Sequence, residues 1–153
     1  MKRTILILCA LSLPLACVAS DKKKDLSPKE QAAARIEQMK EKIAHDSPRE
    51  ICYHSAQLVR ELVEEFNLQM SAGELKPAQQ TLNDIGAYAQ KAGFASLNSR
   101  HKLKQAELIL HDASRRMRDI EETLSVEDRP AMEAEIKKID AADDTVLKQV
   151  FKE

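Results

Sequence analysis

Glycine, tryptophan and aromatic residues are nearly missing from this chain: 153 residues hold Gly 3, Trp 0, Phe 3 and Tyr 2. Sandwiches and barrels draw on turn glycines and on aromatic or β-branched strands. No alternating apolar and polar run of strand length is present either, so an all-β fold is excluded. Cysteine is equally sparse. Cys9 and Cys17 stand near the start and only Cys52 lies well inside the domain, which excludes an intramolecular disulfide framework. Cys52 falls on an apolar helical stripe and is expected to be an inert, buried thiol; an intermolecular or reactive thiol is the alternative. Neither charge sign is in excess: Lys+Arg 24 against Asp+Glu 25 gives a net charge of −1. Nucleic-acid-binding domains usually carry a large basic surplus, so no nucleic-acid partner is expected. Nor does any apolar run reach the roughly 20 residues that a membrane-spanning helix needs.

The chemistry-bearing motifs are missing as well. Di-iron bundles need Glu-x-x-His so that both ligands leave one helix face together; here Glu50 and Glu107 each precede a histidine by four residues. There is no Cys-x-x-Cys-His, His-Glu-x-x-His, phosphate-binding loop or Gly-x-Ser-x-Gly. Gly73, Gly86 and Gly93 stand singly, so no loop cradles a phosphate. The chain reads as a non-enzyme, with no cofactor implied.

What the sequence does contain begins with its first twenty residues. Lys2 and Arg3 precede the apolar run Thr4–Leu15, and the small residues Ala16-Cys17-Val18-Ala19-Ser20 follow before Asp21 opens a polar region. This is the layout of a secretory signal, cleaved near Ala19 or Ser20, and it implies a periplasmic or secreted protein. Cys17 offers a second outcome. Leu15-Ala16 before it suits a lipoprotein signal, so a lipid-anchored envelope component is an alternative, although Pro14 stands where such signals favour leucine. Residues 21–26 read as a disordered linker and 27–153 as a single domain, and the mature form from residue 21 has a net charge near −3 once Lys2 and Arg3 are removed.

Ala, Leu, Glu, Lys, Gln and Arg, the strong helix formers, dominate that domain. Ser27-Pro28-Lys29-Glu30 is a capping box with proline at the first helical position and predicts a helix over 28–45 with Ala32, Ile36, Met39 and Ile43 inward. Ser47-Pro48-Arg49-Glu50 repeats the signal and predicts a wide-faced central helix over 48–72, ended by Gly73 in the left-handed conformation. A third helix is expected over 77–92, with Gly86 marking the close approach of another helix and Gly93 as the stop. A fourth is expected over 96–124, with a seam of Leu103, Ala106, Leu110, Ala113, Met117, Ile120 and Leu124 at 3–4 spacing. A fifth follows the Ser125–Pro130 turn, over 130–151, with Met132, Ile136, Ile139, Ala142, Val146, Val150 and Phe151 inward. The expected fold is all-α: an up-and-down bundle of four to five helices with a long antiparallel C-terminal hairpin.

Met70-Ser-Ala-Gly73-Glu-Leu-Lys-Pro-Ala78, with Leu82 four residues later, resembles the turn of a tetratricopeptide hairpin over 61–92. More broadly, the hairpin 54–92, the charged helix after it and the acid-Asp-Arg-Pro turn Glu127–Pro130 resemble exported all-helical proteins of environmental bacteria such as acidobacteria. That resemblance implies the fold and an exported location, and brings no activity with it.

Charge patterning supplies the candidate surfaces. Lys104, His111, Arg115 and Arg118 form a basic stripe on the fourth helix, and Glu133, Glu135, Asp140, Asp143 and Asp144 make the fifth acidic. Complementary charge can set the register of that hairpin; two solvated faces are the alternative. Lys104, Arg115 and Arg118 are the expected interaction surface for another envelope protein or for self-association. His54, His101 and His111 are the candidates for a metal or small-ligand site, which needs more than one helix to assemble. The expected function is that of an envelope interaction protein, an adaptor or chaperone, with ligand or metal binding as the alternative.

Overall fold

The computed structural model describes residues 27–152. The signal segment 1–20, its Cys17 and the 21–26 linker lie outside the described residues. Among the described residues there are five helices: α1 Pro28–His45, α2 Ile51–Ser71, α3 Leu75–Ser96, α4 Leu103–Glu121 and α5 Arg129–Val150. The fold is the expected all-α bundle.

Local signals account for several boundaries. At α1, Ser27 Oγ accepts the Glu30 N–H at 3.3 Å while Glu30 Oε2 accepts the Ser27 N–H at 2.8 Å, the reciprocal bonds of a capping box. The Ser27 backbone N–H, with the Ser27 hydroxyl beside it, holds the Glu30 carboxyl below its ordinary value. At the end of α2, Gly73 adopts φ +73°, its N–H donates to Met70 O at 3.1 Å and the Glu74 N–H donates to Gln69 O at 2.9 Å. This is the Schellman pairing, and it satisfies two carbonyls that the helix end would otherwise leave open.

Other boundaries differ from expectation. The Ser47 box opens a turn, and α2 begins only at Ile51: the Ser47 hydroxyl donates to the Glu50 carboxylate at 3.1 Å and leaves the backbone uncapped. Gly93 does not stop α3, which runs on to Ser96, because the residue is buried against α5. The fourth helix starts at Leu103, seven residues later than expected. Ser99 ties the intervening segment back to α2's entry by donating to Arg49 O at 2.6 Å, and Lys102 turns the chain at φ +54°. Phe151 is 81% exposed, contrary to its expected inward position, and lies one residue past the end of α5.

Helices α2–α5 form the core, and their neighbours follow a ring α2–α3–α5–α4, with α2 and α5 on opposite sides. Direction alternates along the chain. Ser114 of α4 meets Asp140 of α5 and His111 meets Asp143, so these two helices run antiparallel. Gly86 meets Glu135 and Gly93 meets Ala142, so α3 and α5 run parallel. Consecutive helices α3 and α4 are therefore joined across the diagonal of the bundle. Leu58, Ile85, Leu110, Met117, Met132 and Ile139, drawn from all four helices, are fully buried. Each such side chain contributes roughly 1.5–3 kcal/mol by leaving water. The α4 seam from Leu103 to Met117 is buried as expected, with Ile120 and Leu124 packed at its edge. Helix α1 packs antiparallel on α2 through Ile36 and Ile43, and Lys40 reaches Asp84 of α3 at 3.0 Å.

Candidate functional site

A close contact between α3 and α5 positions a groove on the surface of the bundle. Gly86 of α3 lies under the Glu135 carboxylate of α5, and a Cβ built on Gly93 would stand 3.2 Å from Ala142 Cα. Small residues at these levels let α3 and α5 approach at a distance that larger side chains would prevent. Outside this contact the helices diverge into a groove of about 440 Å³, floored by Gly93, Ala141 and Ala142. Phe94 and Leu97 form its α3 wall, and both are exposed, at 72% and 55%. Lys137, Lys138 and Thr145 form the α5 wall.

The two walls differ in charge. The outward stripe of α3 reads Asn83, Ala87, Gln90, Phe94, Leu97, and contains no charge. The outward stripe of α5 reads Ala134, Lys137 and Lys138, Ala141, Thr145, Lys148. Of the acids of α5, Asp144 is exposed on the same side as Lys137 and Lys148, seven residues from the first and four from the second. Asp140 and Asp143 face α4, Glu135 is buried and holds Lys138 at 2.7 Å, and Glu133 holds Lys137 at 3.0 Å.

The basic stripe expected on α4 is largely engaged within the molecule. Arg118 donates to Asp140 at 2.6 Å and to Ser114 Oγ at 2.8 Å, and Ser114 in turn donates to Asp140 at 2.5 Å. This network fixes the α4–α5 register by complementary charge. Arg115 donates to Asp112 at 2.7 Å, while Lys104 is exposed. Arg116, the neighbouring cation, bridges to Glu64 of α2.

The three histidines do not converge. His54 Nδ1 lies 2.6 Å from Asp46 Oδ2 at the α1–α2 corner, with Lys42 Nζ 3.2 Å from its Nε2. An ammonium cannot accept a hydrogen bond, so in this geometry Nε2 accepts from Lys42 and Nδ1–H donates to Asp46. His101 lies in the α3–α4 connection, not on a helix, and His111 is paired with Asp143 at 3.3 Å. Among the described residues no three His, Cys, Asp or Glu side chains gather in a way that would hold a metal ion. Asp143 is held above the ordinary carboxylate range by burial, with the His111 bond pulling partly back, and its Oδ1 has no hydrogen-bond partner. Cys52 is fully buried, and burial pushes its thiol up to about 12.

Phe94 and Leu97 were absent from the sequence-based candidates. A helical projection carries the signal: both fall opposite the buried row Leu82, Ile85, Ala89 and Ala92. Their partner wall on α5 has no such signal, because only the fold brings the two stripes together. Comparison with protein-family models, curated proteins and solved structures finds no match.

Proposed function

We propose that this protein is an exported, non-enzymatic adaptor of the cell envelope that binds a partner protein at the α3–α5 groove. The observation that carries this reading is the exposure of Phe94 beside an open, small-residue floor. An aromatic ring at 72% exposure is an unfavourable surface for an isolated domain, and it becomes favourable once a partner covers it. The residue pattern of Met1–Ser20 supports export, and the five-helix scaffold supplies rigid walls for the groove. The α4 stripe supports a contact surface less well, since Arg115 and Arg118 are bound within the molecule and only Lys104 stands out.

A photo-crosslinking residue placed at Phe94 in the full chain, expressed in its own envelope, tests the reading. The same partner should be trapped from position 94 and from position 141, and not from position 104. Trapping from position 104 alone would move the surface back to the α4 stripe. No adduct from any of the three positions would remove the adaptor reading.

A further inference from the structure

The two ends of the bundle carry opposite charge. Chain direction alternates, so the α1–α2 connection, the α3–α4 connection and the last turn of α5 share one end. Ser99 Oγ reaches Arg49 O at 2.6 Å across it, and the Lys102 ammonium stands 4.3 Å from the centre of the Tyr53 ring. The register set by Ser114–Asp140 and His111–Asp143 carries the last turn of α5 to the first turn of α4. We infer that this end docks on an anionic lipid surface, with its Lys and Arg side chains at the headgroups and Phe151 and Leu97 in the interface. The inference goes beyond the adaptor reading and does not depend on the groove.

Six exposed cations gather at this end: Arg49, Arg100, Lys102, Lys104, Lys148 and Lys152. None of the six makes an ion pair among the described residues, and Lys102 lies over Tyr53. The acids of the connections are engaged, Asp46 by His54 and Glu50 by the Ser47 hydroxyl. Further in, Glu107 stands three residues from Lys104 and Asp144 four from Lys148, while Lys91 adds a cation on α3 and Glu41 and Lys42 of α1 offset each other. All of these together are eight cations against five acids, an excess of three. Glu153 follows Lys152 in sequence, outside the described residues, and still leaves the end positive. The opposite end is the reverse: Glu30, Glu74, Glu121, Glu122, Glu127 and Asp128 stand against Lys29, Lys76 and Arg129. A chain of net charge −1 has thus separated its charges by end. The folded domain gains little from this, since α4 has no acid in its first turn, where the helix dipole favours one. An anionic surface gains from it directly, by about fivefold in affinity for each Lys or Arg near the headgroups.

Apolar side chains at the same end select lipid over an acidic protein. Phe151 is 81% exposed and Leu97 is 55% exposed. An exposed phenyl ring among cations suits the boundary between headgroups and acyl chains, where the ring leaves water and the Lys and Arg stems lie beside it with their charges at the phosphates. No helix of the described residues is long and apolar enough to cross a membrane, so the contact lies on the surface.

Vesicle co-sedimentation of the protein isolated from its own envelope tests this, with an equal mixture of phosphatidylglycerol and phosphatidylcholine against phosphatidylcholine alone. The anionic vesicles should bind on the order of tenfold tighter at low salt, with the difference shrinking at high salt. An apolar leader or an acyl chain would bind both vesicles alike, so the difference isolates the basic end. Lys104→Glu/Lys148→Glu should remove the difference and Lys76→Glu, at the other end, should leave it, with folds checked by circular dichroism and thermal melting. The chain has no tryptophan, so Phe151→Trp places a single indole at the contact, and its emission should shift to the blue on anionic vesicles. Equal binding to both vesicles, or a preference that survives Lys104→Glu/Lys148→Glu, would overturn the inference. Unmoved emission of the bound Phe151→Trp protein, or capture by soluble polyglutamate as tight as by the vesicles, would assign the end to an acidic macromolecule and overturn the lipid surface.

Discussion

Gly93 of α3 rests on Ala142 of α5, so close that a Cβ on Gly93 would lie 3.2 Å from Ala142 Cα and 3.3 Å from its Cβ. The contact is backbone against a short side chain, and neither can swing aside. It sets both the spacing of the two parallel helices and the floor of the groove between them.

Enlarging this position should therefore cost stability despite better helix propensity. Gly93→Leu should destabilise by about 1–3 kcal/mol, the usual range for overpacking a tight core. Denaturant unfolding followed by circular dichroism measures it. Unchanged stability would mean that α5 yields easily at Ala142, and would undermine the rigid-floor description.

Asp143 should behave in the opposite way. Its carboxylate is 14% exposed, its one partner His111 is 71% exposed, and Oδ1 is unbonded. Its folded value is raised above 3.8, so its contribution to stability is fully present below that value and is lost as pH rises through the raised one. Asp143→Ala should thus stabilise the protein by about 0.5–1 kcal/mol at pH 7, helped by alanine's helix propensity. The gain should shrink as pH is lowered and the wild-type carboxyl protonates. Thermal melts at pH 7 and pH 4 decide it, and a variant less stable at pH 7 would refute the desolvation argument.

For Cys52, burial raises the thiol from 9.0 to about 12. The unfolded chain releases this proton near 9 and the folded chain holds it, so stability conferred by the protonated thiol is full below pH 9 and declines between 9 and 12. Relative to Cys52→Ala, wild type should lose its advantage over that window. Peptide mass mapping should also find Cys52 unmodified by iodoacetamide in the native protein at pH 8 and modified after denaturation. Native labelling at the rate of a free thiol would contradict the burial.

The corner between α1 and α2 depends on Asp46, whose side chain is 7% exposed and bonded to His54 Nδ1 at 2.6 Å. Asp46→Ala should cost about 1–3 kcal/mol, the range for orphaning a buried polar group. Hydrogen exchange should show the loss in α1 and the first turn of α2 while α4–α5 stays protected. Uniform loosening of all five helices would argue against a local tether.

Much of the bundle was legible in the sequence because the signals act over a few residues. Ser27 and Glu30 cap each other across one turn, Gly73 supplies a positive φ where α2 must end, and the Leu103–Met117 seam declares its buried face through its period. Gly86 even predicted a close helix. The failures share one cause, long-range packing. Gly93 has the local look of a stop, but burial against Ala142 carries α3 through it. Residues 97–102 look continuous with a helix until Ser99 is drawn to the Arg49 carbonyl, fifty positions away. The partners of the candidate surface were hidden for the same reason. Arg115 and Arg118 read as free cations in one dimension, and Asp112, Ser114 and Asp140 engage them in three. By itself, the sequence determined helix content, capping and the identity of the buried faces, all of which depend on neighbours within about four residues. Only the tertiary structure decided which helices lie side by side. The pairing of α3 with α5 across a diagonal connection is what sets the uncharged stripe of Phe94 beside the lysines of α5.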